Sequence, residues 1–360
     1  MQDDSLEDLR QQIDSVDRQL LQLISSRAKL AQQVASVKAK ATGEQSFYRP
    51  EREASVLKSV LEHNQGPLSD EEMARLIREV MSACLALEQR LQVAFLGPAG
   101  TFTEEAAYKH FGHSIRTLAT SSIDDVFREV ESDNANFGVV PIENSTQGIV
   151  NSTLDMFLES TLKIVGEVEL RIHQHLLSNV ADISDIQVLY SHQQSLAQCK
   201  KWLETNLPGV KRVPVSSNAD AAQRATAEAN AAAIASETAA EKYALKVQRN
   251  KIEDSPDNTT RFLIIGKQDV QPTNDDKTTL LISARNKPGA LYSLLQPLAK
   301  NNVSMTRIES RPSHCVNWEY VFFLDLEGHI KTDKIKKSLA ELQHEADVLK
   351  VLGSYPKAVL

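Results

Sequence analysis

Leu6, Leu9, Ile13, Val16, Leu20, Leu23, Leu30, Val34, Val37 and Ala41 recur at alternating steps of three and four residues, with one break in the series, at Arg27. A single helix of that length cannot bury such a seam against itself. It must pack on other helices of the chain or on a second copy. Only Gly43, Pro50, Gly66 and Pro67 interrupt the Leu-, Ala-, Glu- and Gln-rich stretch 1–92. A second helix is expected from about Glu51 to His63. A third is expected from a Ser69 N-cap, with Glu72 three residues on as a capping box, to about Leu91. The expectation is an all-helical domain over 1–92 that assembles as a homodimer or a higher even oligomer.

At Val93 the pattern changes. VAFLG, IRTLAT, FGVVPIEN, VLYSH, VKRVPVSS, AAAIAS and RFLIIG are short apolar or β-branched runs separated by helical stretches. That alternation predicts an α/β domain over 93–268 with a largely parallel sheet, long enough for two lobes with a ligand crevice between them. The polar run QDVQPTNDDK at 268–277 reads as a linker. Residues 277–358 then follow the order strand, helix, strand, strand, helix, strand, the ferredoxin-like split unit of an α+β domain.

Composition excludes several classes. With 40 basic and 48 acidic residues among 360 and a net charge of -8, a nucleic-acid or anionic-membrane partner is not expected. No apolar run is long enough to span a bilayer, and the acidic N-terminus has no signal-peptide pattern. Cys84, Cys199 and Cys315 stand far apart without a CxxC pair, which fits reduced thiols in a cytoplasm and indicates no metal site. The chain has no GxGxxG, so no nicotinamide cofactor is expected, and no other cofactor is indicated.

Arg27 is the first candidate for chemistry, since a guanidinium in an apolar seam must meet an anion. Lys38, eleven positions on, returns to within about 20° of the same helix face. Arg49 and Arg52, flanked by Glu51 and Glu53, would complete a cationic pocket for a dicarboxylate, with Arg10 arriving from another helix or protomer. A buried carboxylate paired with Arg27 is the plainer alternative. In the middle domain, GPAGTFTEEAA is a strand-loop-helix junction whose amides, with Thr101 and Thr103, suit a carboxylate; it lacks the P-loop lysine. Glu143, Asn144, Ser145 and Thr146 cluster at the end of a buried strand. Ser191 and His192 follow another strand, with Gln198 on the next helix, and Thr259, Thr260 and Arg261 open a third. Ser191 and His192 lie outside any GxSxG and, as neighbours on a strand, point to opposite faces. Each of these strings taken singly also fits turns and caps.

Together these strings carry resemblances. Arg10, Arg27, Lys38, FYRPERE and REVMSACLALEQ resemble the small all-helical chorismate mutase family. That resemblance implies that Arg10 of one protomer and Arg27 of the other hold the carboxylates of chorismate. Lys38 and Glu88 would face its ether oxygen, and Arg52, Glu53 and Cys84 would complete the pocket. GPAGTF, PIENST, YSHQQSLAQC, SSNADAA and TTRFLIIG resemble, in order, prephenate dehydratase, a two-lobed enzyme built like a periplasmic binding protein. This implies that Thr260 and Arg261 are catalytic, that Glu143, Asn144, Ser191 and Gln198 line the cleft, and that Thr101, Thr103 and Ser145 help to bind prephenate. NKPGALYSLL and RIESRP resemble the ACT regulatory domain. They imply an allosteric L-phenylalanine site at Gly289, Ala290, Leu291, Asn302, Val303, Glu309, Ser310, Arg311 and Pro312.

The domain order is that of bifunctional chorismate mutase/prephenate dehydratases of phenylalanine biosynthesis. Two other readings stay open: a monofunctional dehydratase with a helical dimeriser, and a non-catalytic amino-acid sensor. A mutase needs no acid, base or nucleophile, only a compact substrate conformer and positive charge at the breaking ether. A Glu at position 88 donates to that oxygen only when protonated. Mutase activity is therefore expected to fall as pH rises, and Glu88→Gln to flatten the profile; a flat wild-type profile refutes the assignment.

Overall fold

The computed structural model describes residues 5–41, 48–283, 287–312 and 320–359, except for the side chains of 38–41. Three helices come first: α1 (Leu6–Ala41), α2 (Pro50–His63) and α3 (Asp70–Ala86). The Ser69 hydroxyl accepts from the Glu72 amide at 3.2 Å, which starts α3 where the capping signal predicts. The helix stops five residues short of the expected Leu91, because the chain turns at once into the first strand. Along α1 the seam residues from Leu6 to Val37 all stay exposed within one chain, and only the small positions Ala28, Ala31 and Ala35 are half-buried in its second half.

The first α/β lobe contains β1 (Gln92–Leu96), α4 (Phe102–Phe111), β2 (Arg116–Thr120), α5 (Ile123–Glu131), β3 (Phe137–Asn144), β4 (Gly148–Ile149), α6 (Asn151–Glu159) and β5 (Lys163–Arg171). The chain then crosses to a second lobe. That lobe holds β6 (His175–Ser178), β7 (Val188–His192), α7 (Gln193–Gln198), α8 (Lys200–Asn206), β8 (Lys211–Val215), α9 (Asn218–Ala227), β9 (Ala231–Ala235), α10 (Glu237–Lys242) and β10 (Lys246–Arg249). It returns to the first lobe as β11 (Thr259–Gly266), giving sheet orders β2-β1-β3-β11-β5 and β10-β6-β9-β7-β8. Both sheets are mixed rather than largely parallel. The returning β11 runs antiparallel to both β3 and β5, and β6 runs antiparallel to β9 and β10.

The last unit is β12 (Asp276–Ser283), α11 (Ala290–Lys300), β13 (Met305–Pro312), β14 (Tyr320–Glu327), α12 (Asp333–Glu345) and β15 (Val348–Pro356), with sheet order β13-β14-β12-β15, all antiparallel. The ferredoxin-like expectation holds. Alternation along β12 divides its two faces. Leu280 and Ile282 face α11 and α12, while Leu281, with Phe323, Leu352 and Tyr355, joins the core of the first α/β lobe. The expected linker is consequently not a free tether. Val270 and Asp276 are buried, and Asp275 pairs with Lys58 of α2 at 2.8 Å and with Lys357 at 3.2 Å.

The tightest approach between these units is at Gly353 of β15. A Cβ there would collide with the main chain of Ile164 in β5. Gly353→Ala must push the two sheets apart or bend β15, at a cost of about 1–3 kcal/mol. The expected outcome is a lower denaturation midpoint for the α/β–ACT unit by calorimetry; an unchanged midpoint would show that the sheets separate without cost.

Candidate active site

Between the two lobes lies a cleft of 530 Å³. Its floor is the carboxyl end of β3 beside the start of β11, where Asn144 is registered against Thr260. The Asn144 amide nitrogen donates to Thr260 Oγ1 at 2.8 Å and to Asn258 Oδ1 at 2.9 Å. Its carbonyl oxygen accepts from the amides of Thr146 and Gln147 at 3.0 and 3.1 Å, which fixes the orientation of the side-chain amide. Because Thr260 Oγ1 is the acceptor of that bond, its own proton is free to be donated into the cleft.

One wall is the loop after β1 and the start of α4. Thr101 precedes α4 without capping it through its side chain, since its hydroxyl donates to Leu96 O at 3.1 Å. The first-turn amides, beside the cleft-lining Thr103, are left to an anion. Gly100 holds φ +88, and a Cβ there would lie 3.1 Å from Tyr243 of the second lobe. Across this contact Tyr243 Oη donates to Ala99 O at 2.8 Å and Ser236 Oγ to Gly100 O at 3.1 Å. The opposite wall is built by Gln198, His192, Ser195 and Asn218 of the second lobe. Gln198 accepts from Gln174 at 3.1 Å, while its own amide nitrogen is buried without a hydrogen-bond partner. Apart from His192, no titratable side chain lines this cleft among the described residues.

The sequence expectations divide here along the strand pleat. Asn144, Thr260, Thr101, Thr103 and Gln198 line the cleft. Ser191 lies fully buried just beneath it, its hydroxyl 3.2 Å from Asn218 Oδ1. Ser145 does not line the cleft; its hydroxyl accepts from Thr259 N at 3.0 Å and ties the β3 turn to β11. Glu143 and Arg261 do not line it either. As immediate neighbours of Asn144 and Thr260 they point to the reverse face of the sheet, toward the ACT unit. The same rule that separates Ser191 from His192 predicts this. Gln174, Asn218 and Asn258 were missed as single residues. Asn218 falls inside the string SSNADAA and Asn258 immediately precedes TTRFLIIG, whereas Gln174 carries no local signal.

In the helical domain, Arg10 and Arg27 are exposed on α1, about 25 Å apart along its axis, too far to share one ligand within a chain. Arg52 is exposed and Cys84 buried, with Glu88 half-buried just beyond α3. The Lys38 side chain lies outside the described residues. Glu53 departs from the pocket that the resemblance implies. With Ala54 and Leu57 it faces the α/β lobe, and Arg78 Nε donates to it at 3.2 Å while Arg78 Nη1 donates to Lys109 O at 2.7 Å. Burial, opposed by Arg78, pushes the Glu53 carboxyl up. Beside it Tyr48 Oη lies 3.1 Å from His110 Nε2, and burial, reinforced by Arg78, pushes His110 down to about 3.

In the ACT unit, Gly289 holds φ +81 ahead of α11, with Ala290 and the partly exposed Leu291 in the first turn. Asn302 is exposed and Val303 buried at the other end of that helix. Along β13 exposure alternates: Ser310 and Pro312 face out, Glu309 and Arg311 inward. Arg311 is already taken, donating through Nη2 to both oxygens of Asp155 on α6 at 2.6 and 2.8 Å.

Residues 9–89 match the family described as Chorismate mutase type II, 93–270 Prephenate dehydratase, and 278–344 the ACT domain. The bifunctional chorismate mutase/prephenate dehydratase of Pseudomonas aeruginosa is 58% identical over 361 residues, covering 99% of both chains. A prephenate dehydratase of Arthrobacter aurescens, solved in complex with L-Phe, superposes with a TM-score of 0.69 at 33% identity, covering 74% of this chain and 90% of that one. A protein titled GqqA, a novel type of quorum quenching acylases, superposes with a TM-score of 0.70 at 29% identity over 74% of this chain and 98% of its own. By its domains, their order and its full-length relatives, the chain belongs to the bifunctional chorismate mutase/prephenate dehydratase family.

Proposed function

We propose that the chain rearranges chorismate to prephenate in its helical domain and converts prephenate to phenylpyruvate in the interlobe cleft, with L-phenylalanine acting as inhibitor at the ACT unit. The observation that carries the dehydratase reading is the Asn144–Thr260 hydrogen bond, because it leaves the threonine proton free for a leaving group. In the reaction the bond from the ring to its carboxylate breaks and carbon dioxide departs. The electron pair enters the ring, and the ring C–O bond breaks with its oxygen taking up a proton, supplied in net from bulk solvent, to leave as water. The Thr260 hydroxyl supplies the hydrogen bond to that oxygen. Phe262, Ile172 and Val150 line the same cleft, and neither Lys nor Arg is among the described residues that do. A ring carboxylate placed against them loses hydration without gaining a counter-charge, which favours its loss as carbon dioxide. The side-chain carboxylate is left to neutral donors, the free amide of Gln198 and the first turn of α4.

The exposed seam of α1 supports an oligomer of even number in which a partner helix covers it, joining Arg10 of one chain to Arg27 of the other. A cytoplasmic setting fits the buried, unpaired Cys84 and Cys199.

The decisive experiment incubates the purified chain with chorismate and follows prephenate and phenylpyruvate separately. Phenylpyruvate formation suppressed by phenylalanine is expected; turnover of added prephenate alone would reduce the helices to a dimeriser, and phenylalanine binding without turnover would leave a sensor. Thr260→Val is expected to lower dehydratase turnover about a hundredfold while sparing the mutase, and equal loss of both activities would point to misfolding instead. Arg10→Ala and Arg27→Ala are each expected to abolish the mutase. Unfolded together and refolded as a mixture, they should regain about a quarter of wild-type activity, because half the dimers then carry one intact site. No recovery on mixing refutes a site shared between chains.

A further inference from the structure

Next to the Thr260–Asn144 pair, which faces the cleft, the adjacent pair of the ladder, Arg261 and Glu143, faces the reverse side, and both of its side chains meet the ACT unit. Arg261 sits in a closed ring. Its Nη1 donates to Asp325 Oδ2 at 2.6 Å and its Nη2 to Tyr355 Oη at 3.1 Å. Tyr355 Oη lies 2.8 Å from Thr279 Oγ1, which donates to Asp325 Oδ1 at 2.7 Å. Since the carboxylate only accepts, the direction of every bond is fixed and each proton in the ring is used once. Glu167 of β5 closes the other side, accepting from Arg261 Nε at 2.8 Å. Side-chain exposure is 11% for Arg261 and 3% for Asp325, so the link works out of water.

Glu143 is held loosely by comparison. Arg307 Nε stands 3.5 Å from its carboxylate, and Arg307 Nε and Nη2 are buried without a hydrogen bond. Arg307 lies opposite Asp325 in the β13–β14 register, and on β13 it shares its face with Glu309 and Arg311. A cation with unused donors therefore stands between the phenylalanine motif and the ring that holds Arg261.

We propose that Arg261 is a positioning residue rather than a substrate-binding one: the ACT sheet sets the place of the Thr260 hydroxyl through the Arg261–Tyr355–Thr279–Asp325 ring. A ligand on β13 reaches that ring through Arg307, which can trade Glu143 for Asp325. The ring does not depend on what the ACT unit binds, but its use by phenylalanine rests on the reading given above.

Two arms test this on the full-length chain, with mutase activity and thermal unfolding as controls for folding. Without phenylalanine, Asp325→Asn is expected to lower dehydratase kcat about tenfold or more with the KM for prephenate within about twofold, because misplacement of a catalytic group acts on the reacting state. Thr279→Val, which removes a single hydroxyl, should shift kcat in the same direction and serves where Asp325→Asn fails to fold. An unchanged kcat in a folded variant overturns the proposal, as does a raised KM at constant kcat, which would make Arg261 a substrate ligand. With phenylalanine, Tyr355→Phe is expected to bind it as tightly as wild type by calorimetry while losing at least half of the maximal inhibition; full inhibition overturns the transmission through the ring. A wild-type chain that does not bind phenylalanine would refute the regulatory reading, and the first arm would still decide the ring.

Discussion

The two-residue period of β3 and β11 is the constraint on which most of the molecule depends. It sends Asn144 and Thr260 into the cleft and Glu143 and Arg261 to the opposite face, so the residues that line the cleft are covalent neighbours of the residues that hold the ACT unit. A guanidinium buried without partners would cost several kcal/mol, and this strand end is stable only because β5 and the ACT sheet bring Glu167, Asp325 and Tyr355 to it. Burial opposes the charge on Arg261, but those groups more than offset it and raise its pKa further. Burial likewise works to raise the Asp325 carboxyl, and Arg261 with the Thr279 hydrogen bond outweighs it and holds the carboxyl down. Both groups therefore stay charged. The α/β lobe could not shed the ACT unit without exposing a paired charge cluster and the apolar face around Leu281, Phe323 and Leu352.

The cleft follows the opposite electrostatic rule. A dianionic substrate meets amides, hydroxyls and a helix start, and His192 is the one titratable side chain among the described residues that line it. Neutral donors fix orientation without paying a carboxylate to stay a carboxylate, which suits a reaction that must discard one. The helical domain has the reverse need. Its substrate also carries two carboxylates, yet neither leaves, and the proposed pocket would hold them with cations, Arg10 of one chain and Arg27 of another. Two successive reactions on closely related dianions thus call for opposite charge environments, which is a physical reason for two separate sites rather than one.

How much of this could be read from residues depended on whether the signal was periodic or relational. The heptad seam, the capping box at Ser69 and the strand-helix order of the ACT unit are local patterns, and they locate α1, the start of α3 and the last sheet to within a few residues. The motif strings also located the cleft floor. What escaped was set by partners distant in sequence. β5, with Gly166, Glu167 and Glu169 scattered through KIVGEVELR, does not read as a buried strand until β11 and the ACT sheet cover it. The resemblance implies a catalytic Arg261 and a cleft-lining Glu143, whereas the pleat sends both to the reverse face of the sheet. The resemblance implies a Glu53 in the mutase pocket, whereas its helix face turns it to Arg78 and the α/β lobe. The run 268–277 has the composition of a linker, yet Asp275 and Asp276 are fastened by Lys58, Lys357 and Thr273.

Those fastenings bear on how the three units can move. Lys58 of α2 and Lys357 beyond β15 meet at Asp275, Lys357 also reaches Glu327 at 3.0 Å, and the Ala358 amide donates to Glu167 at 3.2 Å. Each exposed pair contributes little alone, about 0–1 kcal/mol. Their placement matters more than their strength, because the last residues of the chain run between α2 and the reverse side of the catalytic sheet. On the other flank α4 has its start in the cleft and its last turn against Arg78. The ACT sheet, the chain end and α2 are thus linked on one side of the catalytic lobe, and α3 is linked on the other to the helix whose first turn faces the cleft. The units are tied together by shared elements rather than joined by a free linker, and the ties converge around the strand end that holds Thr260.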